Sequence, residues 1–141
     1  MSNQTFPSTA LDSELIPSGW KIVEDVEPSQ LDGMMIKTVS FLFEGEENIP
    51  GEVMLERAEE MKANLGFADA KYLANHQDKI SIEFRYNCLV FSGTVFEDLR
   101  GCLHLAYLAF GEGNRWHLLF VQIDGVYWTD DFRLLCCKDF S

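Results

Sequence analysis

Residues 101–125 read GCLHLAYLAFGEGNRWHLLFVQIDG, two apolar runs separated by a turn, with no regular alternation of apolar and polar residues. If the stretch is a β-hairpin, both faces of its sheet are apolar. Each face then needs a cover: helices, the sheet's own curl, or a partner chain. With GEGN as a four-residue loop, Phe110 faces Arg115, Leu108 faces His117, Ala106 faces Leu119 and His104 faces Val121. The opposite face collects Leu103, Leu105, Tyr107, Trp116, Leu118 and Phe120. These six are the candidate partner-binding residues, because Tyr and Trp join a large contact area to a polar handle.

Working outward, ISIEFRY (80–86) alternates and predicts a strand with one wet face. CLVFSGTVFED follows, with a bulge or bend at Ser92-Gly93, and DLRG (98–101) forms the reverse turn into the hairpin. WKIVEDV from Trp20 and MMIKTVSFLFEG from Met34 predict two earlier strands. GEENIPGEVMLERAEEMKANLG predicts a helix with Asn48 or Ile49 as cap, Pro50 in the first turn, Gly66 at the end and an apolar stripe of Met54, Ala58, Met61 and Leu65. Residues 67–78 fit a short helix or a strand. Asp124-Gly125 signals a tight turn into VYW, and TDDFRLLCCKDF predicts a C-terminal helix capped by Thr129 or Asp130. The expected fold class is α+β: a curved antiparallel sheet of five to six strands with a helix after the second strand and a C-terminal helix. It forms one domain over residues 15–141 behind a flexible N-terminal arm of residues 1–14.

The chain has 141 residues, with 11 Lys and Arg against 23 Asp and Glu, for a formal charge of −12. Such a field repels phosphate backbones and anionic lipid headgroups, so neither nucleic acid nor a membrane surface is an expected partner. Met1–Leu15 lacks a basic segment followed by an apolar core, which leaves a cytoplasmic location as the expectation. Cys88, Cys102, Cys136 and Cys137 all sit in apolar surroundings and read as reduced thiols.

Catalytic chemistry has no signature here. His76, His104 and His117 lack metal-ligand spacing, and no H-E-x-x-H, CxxC pair, GxSxG, phosphate loop or GxGxxG occurs, so no catalytic residue, metal or cofactor is assigned. Glu52, Glu56, Glu59 and Glu60 line one side of the predicted helix. They form a solvated face or a docking surface for a basic partner.

The order strand, strand, helix, several antiparallel strands and helix, together with Pro17, Gly19 and Trp20 in a P-x-G-W pattern, resembles the PsbP-like fold group over residues 16–140. That group includes a Ran-binding nuclear import factor, photosystem accessory proteins and the Eag chaperones of type VI secretion effectors. The resemblance implies a noncatalytic adaptor, and for the Eag-like branch a concave sheet that shields an apolar segment of a client.

Three readings of function follow. The first is a protein-binding adaptor or chaperone that covers an apolar segment of another protein with the sheet face. The second is an acidic inhibitor, of the immunity-protein kind, that blocks a basic active site with its glutamate-rich helix. The third is a small-molecule binder using a cavity under the sheet. A homodimer is a rival way of covering the same apolar face.

Overall fold

The computed structural model describes residues 16–29, 31 and 35–138. The expected arm, residues 1–14, and the last three residues lie outside them.

The sheet is built on β3 (Cys88–Glu97), ten residues whose interior is buried throughout. One edge of β3 takes β4 (Leu103–Gly111) antiparallel, and β4 in turn pairs with β5 (Arg115–Gln122). Two strands share the other edge. β6 (Phe132–Lys138) runs parallel to it over Cys88–Val90, and β1 (Lys21–Glu24) runs antiparallel over Val95–Glu97. β2 (Met35–Val39) pairs with β6, which gives the order β2-β6-β3-β4-β5 with β1 beside the far half of β3. The sheet is therefore mixed and open.

Between β1 and β6 the edge of β3 is filled by chain from outside the strands. Gly93 N donates to Leu65 O at 2.9 Å, and Asn64 bridges to Leu135. A Cβ on Gly93 would lie 2.2 Å from the Asn64 carbonyl oxygen, so only glycine admits this approach. The register between β3 and β4 shifts between Phe91 and Phe96, where the Ser92-Gly93 bend was expected.

Both faces are covered. On one, α2 (Phe67–Asn75) and the two 3-10 segments after it, Gln77–Lys79 and Ile82–Tyr86, lie against Phe91, Phe96, Ala106, Leu108 and Trp116. On the other, α1 (Gly51–Glu60) presses Met54 and Ala58 onto Val90, Val95, Leu105 and Leu134. Trp128 completes that second layer: it is fully buried, its indole donates to Ile123 O at 3.0 Å, and its backbone exchanges two hydrogen bonds with Ile49.

Four sequence expectations need correction. First, the stretch from Phe132 is a strand. Thr129 spends its cap potential on a turn, with Asp131 N donating to Thr129 Oγ1 and Phe132 N to Thr129 O. Leu134 and Cys136 then join one layer while Leu135 and Cys137 join the other. A strand buried on both faces has a continuous apolar sequence, which periodicity does not separate from a short helix. The sheet accordingly has a parallel pair rather than being wholly antiparallel.

Second, Ile80–Tyr86 is not a strand. Ile80 is buried and Phe84 half-buried against the α2 layer, while Ile82 and Tyr86 are exposed, so the operative spacing is four. Third, α1 ends at Glu60, before Gly66. Lys62 takes the left-handed conformation at φ 55° and Ala63 N donates to Ala58 O, a helix stop made without glycine. Gly66 instead precedes α2, which settles residues 67–75 as helix, and Pro50 occupies the cap position of α1 expected for Asn48 or Ile49.

Fourth, Gly111 pairs with Arg115, leaving Glu112, Gly113 and Asn114 as a three-residue loop with positive φ at Gly113 (76°) and Asn114 (57°). Phe110 therefore faces Trp116, Leu108 faces Leu118 and Ala106 faces Phe120. A one-residue change of register exchanges every side chain on β5 between faces.

Candidate functional site

This register divides the six candidate partner-binding residues. Trp116, Leu118 and Phe120 belong to the α2 layer, while Leu105 and Tyr107 belong to the α1 layer. Leu103 stands at the start of β4, about a third exposed. Leu105 and Trp116 are buried, and Tyr107, Leu118 and Phe120 are half-buried. They do not form one patch. His104 and His117 likewise sit on opposite faces, since His117 faces Ala109 and His104 faces Gln122.

What the hairpin does present is its rim. β5 is an outer strand, and strand backbone groups alternate in direction, so every second residue points both its N–H and its C=O away from β4. Gln77 shows which residues these are. Its side-chain amide takes both outward groups of Trp116: Trp116 N donates to Gln77 Oε1 at 2.8 Å, and Gln77 Nε2 donates to Trp116 O at 2.9 Å. One glutamine thus acts as a single residue of a missing strand. Leu118, Phe120 and Gln122 share that outward direction, and no partner for their outward groups occurs among the described residues.

Side chains frame this rim on both faces. Toward α2, Phe120 packs edge-on to Trp20 (5.3 Å between ring centroids) and Phe96 and lies tilted against Phe67. Trp20 is delivered there by the Pro17–Trp20 turn, in which Gly19 has φ 87° and Trp20 N donates to Pro17 O. Trp20 also lies over His104 at 4.2 Å, and His104 Nε2 is 2.9 Å from Asp98 Oδ2. That contact with His104, with backbone donation from Cys102 and Arg100, lowers the Asp98 pKa below the ordinary carboxylate value. Toward α1, Leu119 is 43% exposed beside half-buried His117 and Val121. No charged residue occurs between Arg115 and Asp124.

Glu52, Glu56, Glu59 and Glu60 are all exposed on the outer side of α1. Arg57 leaves this row and turns inward, pairing with Glu46 at 2.6 Å and donating to Phe41 O at 2.9 Å while its guanidinium lies over the Phe43 ring at 3.6 Å. The guanidinium and the Phe43 backbone N–H hold the Glu46 pKa down at about 2. Cys136 and Cys137 occupy opposite faces and form no disulfide. Burial pushes the Cys88 thiol pKa up, the opposite of an activated nucleophile.

Gln77 and the Asp98–His104–Trp20 cluster escaped the sequence reading. Gln77 lies 39 positions before its partner, and nothing local marks it. Asp98 was legible only as part of a turn, where it does accept from Arg100 and Cys102 N–H. No helix among the described residues is long and apolar enough to cross a membrane. No family model, no curated protein and no solved structure matches the chain.

Proposed function

We propose that the protein is a noncatalytic binding module that takes an extended segment of another protein onto the rim of β5 by strand addition. The observation that carries the reading is the row of outward backbone groups at Leu118, Phe120 and Gln122, next to a Trp116 that Gln77 already pairs. An outer strand of eight residues, uncharged after Arg115 and with outward N–H and C=O groups unpaired among the described residues, is a template for another strand. The reading keeps the adaptor role that the sequence suggested and moves it from the sheet's face, which the two helices cover, to its edge.

The rim also defines the partner. Beside β5 the segment is uncharged and alternates apolar side chains, which rest on Phe120 and Trp20 on one face and Leu119 and Val121 on the other. Beyond it, basic residues suit a chain of charge −12 and the exposed glutamates of α1.

Linear peptides selected for binding the wild-type protein provide the test, with Leu118→Pro and Leu119→Lys as the two probes. Leu118→Pro removes an outward donor and no bond to β4; Leu119→Lys puts a charge on the rim at an exposed position. Both variants should lose the selected peptides while keeping the wild-type circular dichroism spectrum. Peptides that bind both variants as well as wild type place the site elsewhere. The acidic-inhibitor reading is separated by salt: binding led by the α1 glutamates weakens steeply at high ionic strength, and binding led by backbone pairing and apolar contact does not.

A further inference from the structure

The turn that leads β3 into β4 reaches the β5 rim through a line of side chains. Asp98 is held on both carboxylate oxygens: Oδ1 accepts from Arg100 N at 2.8 Å and Cys102 N at 2.9 Å, and Oδ2 meets His104 Nε2 at 2.9 Å. The His104 side chain is only 12% exposed there. Trp20 lies over its imidazole, with 4.2 Å between ring centroids, and also packs edge-on to Phe120, whose backbone N–H and C=O point out of the rim. Leu99 docks the Pro17–Trp20 turn on the same corner, so closely that a Cβ on Gly19 would come 2.7 Å from Leu99 Cδ2. Asp98, His104, Trp20 and Phe120 thus form a continuous line from a fixed carboxylate to the rim.

One member of that line belongs to the residue type whose charge changes between about pH 5 and 8. With Nε2 donating to Asp98, the arriving proton goes to Nδ1. The His104 contact itself lowers the Asp98 pKa, so the carboxylate stays charged over this range. The cationic ring then gains an ion pair with Asp98 and a cation–π contact with the indole, and the neutral ring has neither. The other charged groups of the surrounding elements are Glu97 on β3, which pairs with Lys21 of β1 at 3.2 Å, Arg100, exposed in the turn, and Lys71 on α2, 5.0 Å from the Phe67 ring centroid. Cys102 contributes a thiol, while Phe96 and Gln122, the residues paired with His104 across the sheet, bring no charge.

We propose that protonation of His104 tightens the β5 rim for its incoming strand by clamping Trp20 against Phe120 as a fixed wall, a regulation that rests on strand addition at β5. A wall already in place spares the complex the cost of ordering it when the partner's apolar side chain arrives. The partner is accordingly held more tightly in mildly acidic surroundings and released toward pH 8.

Titration of the full chain between pH 8 and 5.5 with a selected peptide that has blocked ends and no titratable side chain tests the switch. Affinity should rise about fivefold toward pH 5.5, the factor a cation–π contact supplies, and in His104→Gln it should not depend on pH. NMR of the free wild-type protein needs neither peptide nor variant: the Trp20 indole N–H and the Phe120 amide should shift with the same midpoint as the His104 ring. Asp98→Asn, whose amide oxygen still accepts in the turn, should move that midpoint to lower pH. Flat wild-type affinity, an equal slope in His104→Gln, or a His104 titration that leaves Trp20 and Phe120 in place overturns the switch. Failure of the binding site itself is distinct: peptides that bind Leu118→Pro as well as wild type remove the rim and the switch with it, whereas a peptide lost in Leu118→Pro but bound equally at both pH values removes the switch and leaves strand addition standing.

Discussion

β5 and β2 are both outer strands, and they meet solvent differently. β5 runs for eight residues with no charge between Arg115 and Asp124, and its one outward residue paired among the described residues, Trp116, is closed by Gln77. β2 runs for five residues and carries exposed Lys37 at its centre. A short strand with a lysine is the usual protection of a rim against unwanted pairing. The contrast teaches that edge exposure is managed at one rim and left available at the other, over the length of Leu118–Gln122. The faces do not differ in this way, since each has its own helix and buried aromatic: Trp116 under α2 and Trp128 beside α1.

The largest effect is expected from breaking the frame that both rims share. Gly93→Ala sets a Cβ against the Asn64 carbonyl and must push the 63–65 segment off β3, at a cost of about 3 kcal/mol in chemical denaturation. An unchanged midpoint would show that this segment does not hold the two halves of the β3 edge.

Next comes Gln77→Ala, which strips the partner from both outward groups of Trp116. It should destabilise by about 1–2 kcal/mol and lengthen the open rim by one residue pair, so selected peptides bind more tightly or the protein self-associates in sedimentation. Stability lost with no change in association would mean that the rim does not pair with incoming strands.

Acid sharpens the contrast from the β2 side, where Glu46 and Arg57 tie the chain after β2 to α1. The Glu46 pKa is depressed in the folded state, so its contribution is present above the unfolded value near 4.5 and is lost as pH falls toward about 2. The thermal midpoint should drop across that window, and Glu46→Gln should flatten the drop while leaving peptide binding at β5 intact. The smallest effect belongs to Lys37→Val: stability should move by no more than about 0.5 kcal/mol, while the β2 rim gains a tendency to pair. If Lys37→Val leaves association unchanged, strand length rather than charge protects that rim.

Much of the fold was legible where local chemistry and tertiary structure agree. Asp98 and Gly101 make the turn that DLRG announces, Met54 and Ala58 face the sheet as their spacing requires, and Ser92-Gly93 bends β3. The failures came where one pattern serves two structures. FRLLCCK is apolar on both sides because β6 is covered on both sides, and the same sequence satisfies a short helix. The six-residue patch failed through one residue of loop length. Asn114 and Gly113 accept positive φ and tighten GEGN to three residues, which moves Trp116, Leu118 and Phe120 to the face opposite Leu105 and Tyr107. The open rim was beyond the reach of sequence, because it depends on strand order and on Gln77 reaching Trp116 across the fold.

Hydrogen exchange at single amides tests the central claim most directly. In the free protein the Trp116 amide should be protected by Gln77 while Leu118, Phe120 and Gln122 exchange quickly. With a selected peptide bound, those three should slow by at least about tenfold and the β2 amides should not change. A bound peptide that leaves all three at their free rates, or slows β2 instead, would contradict strand addition at β5.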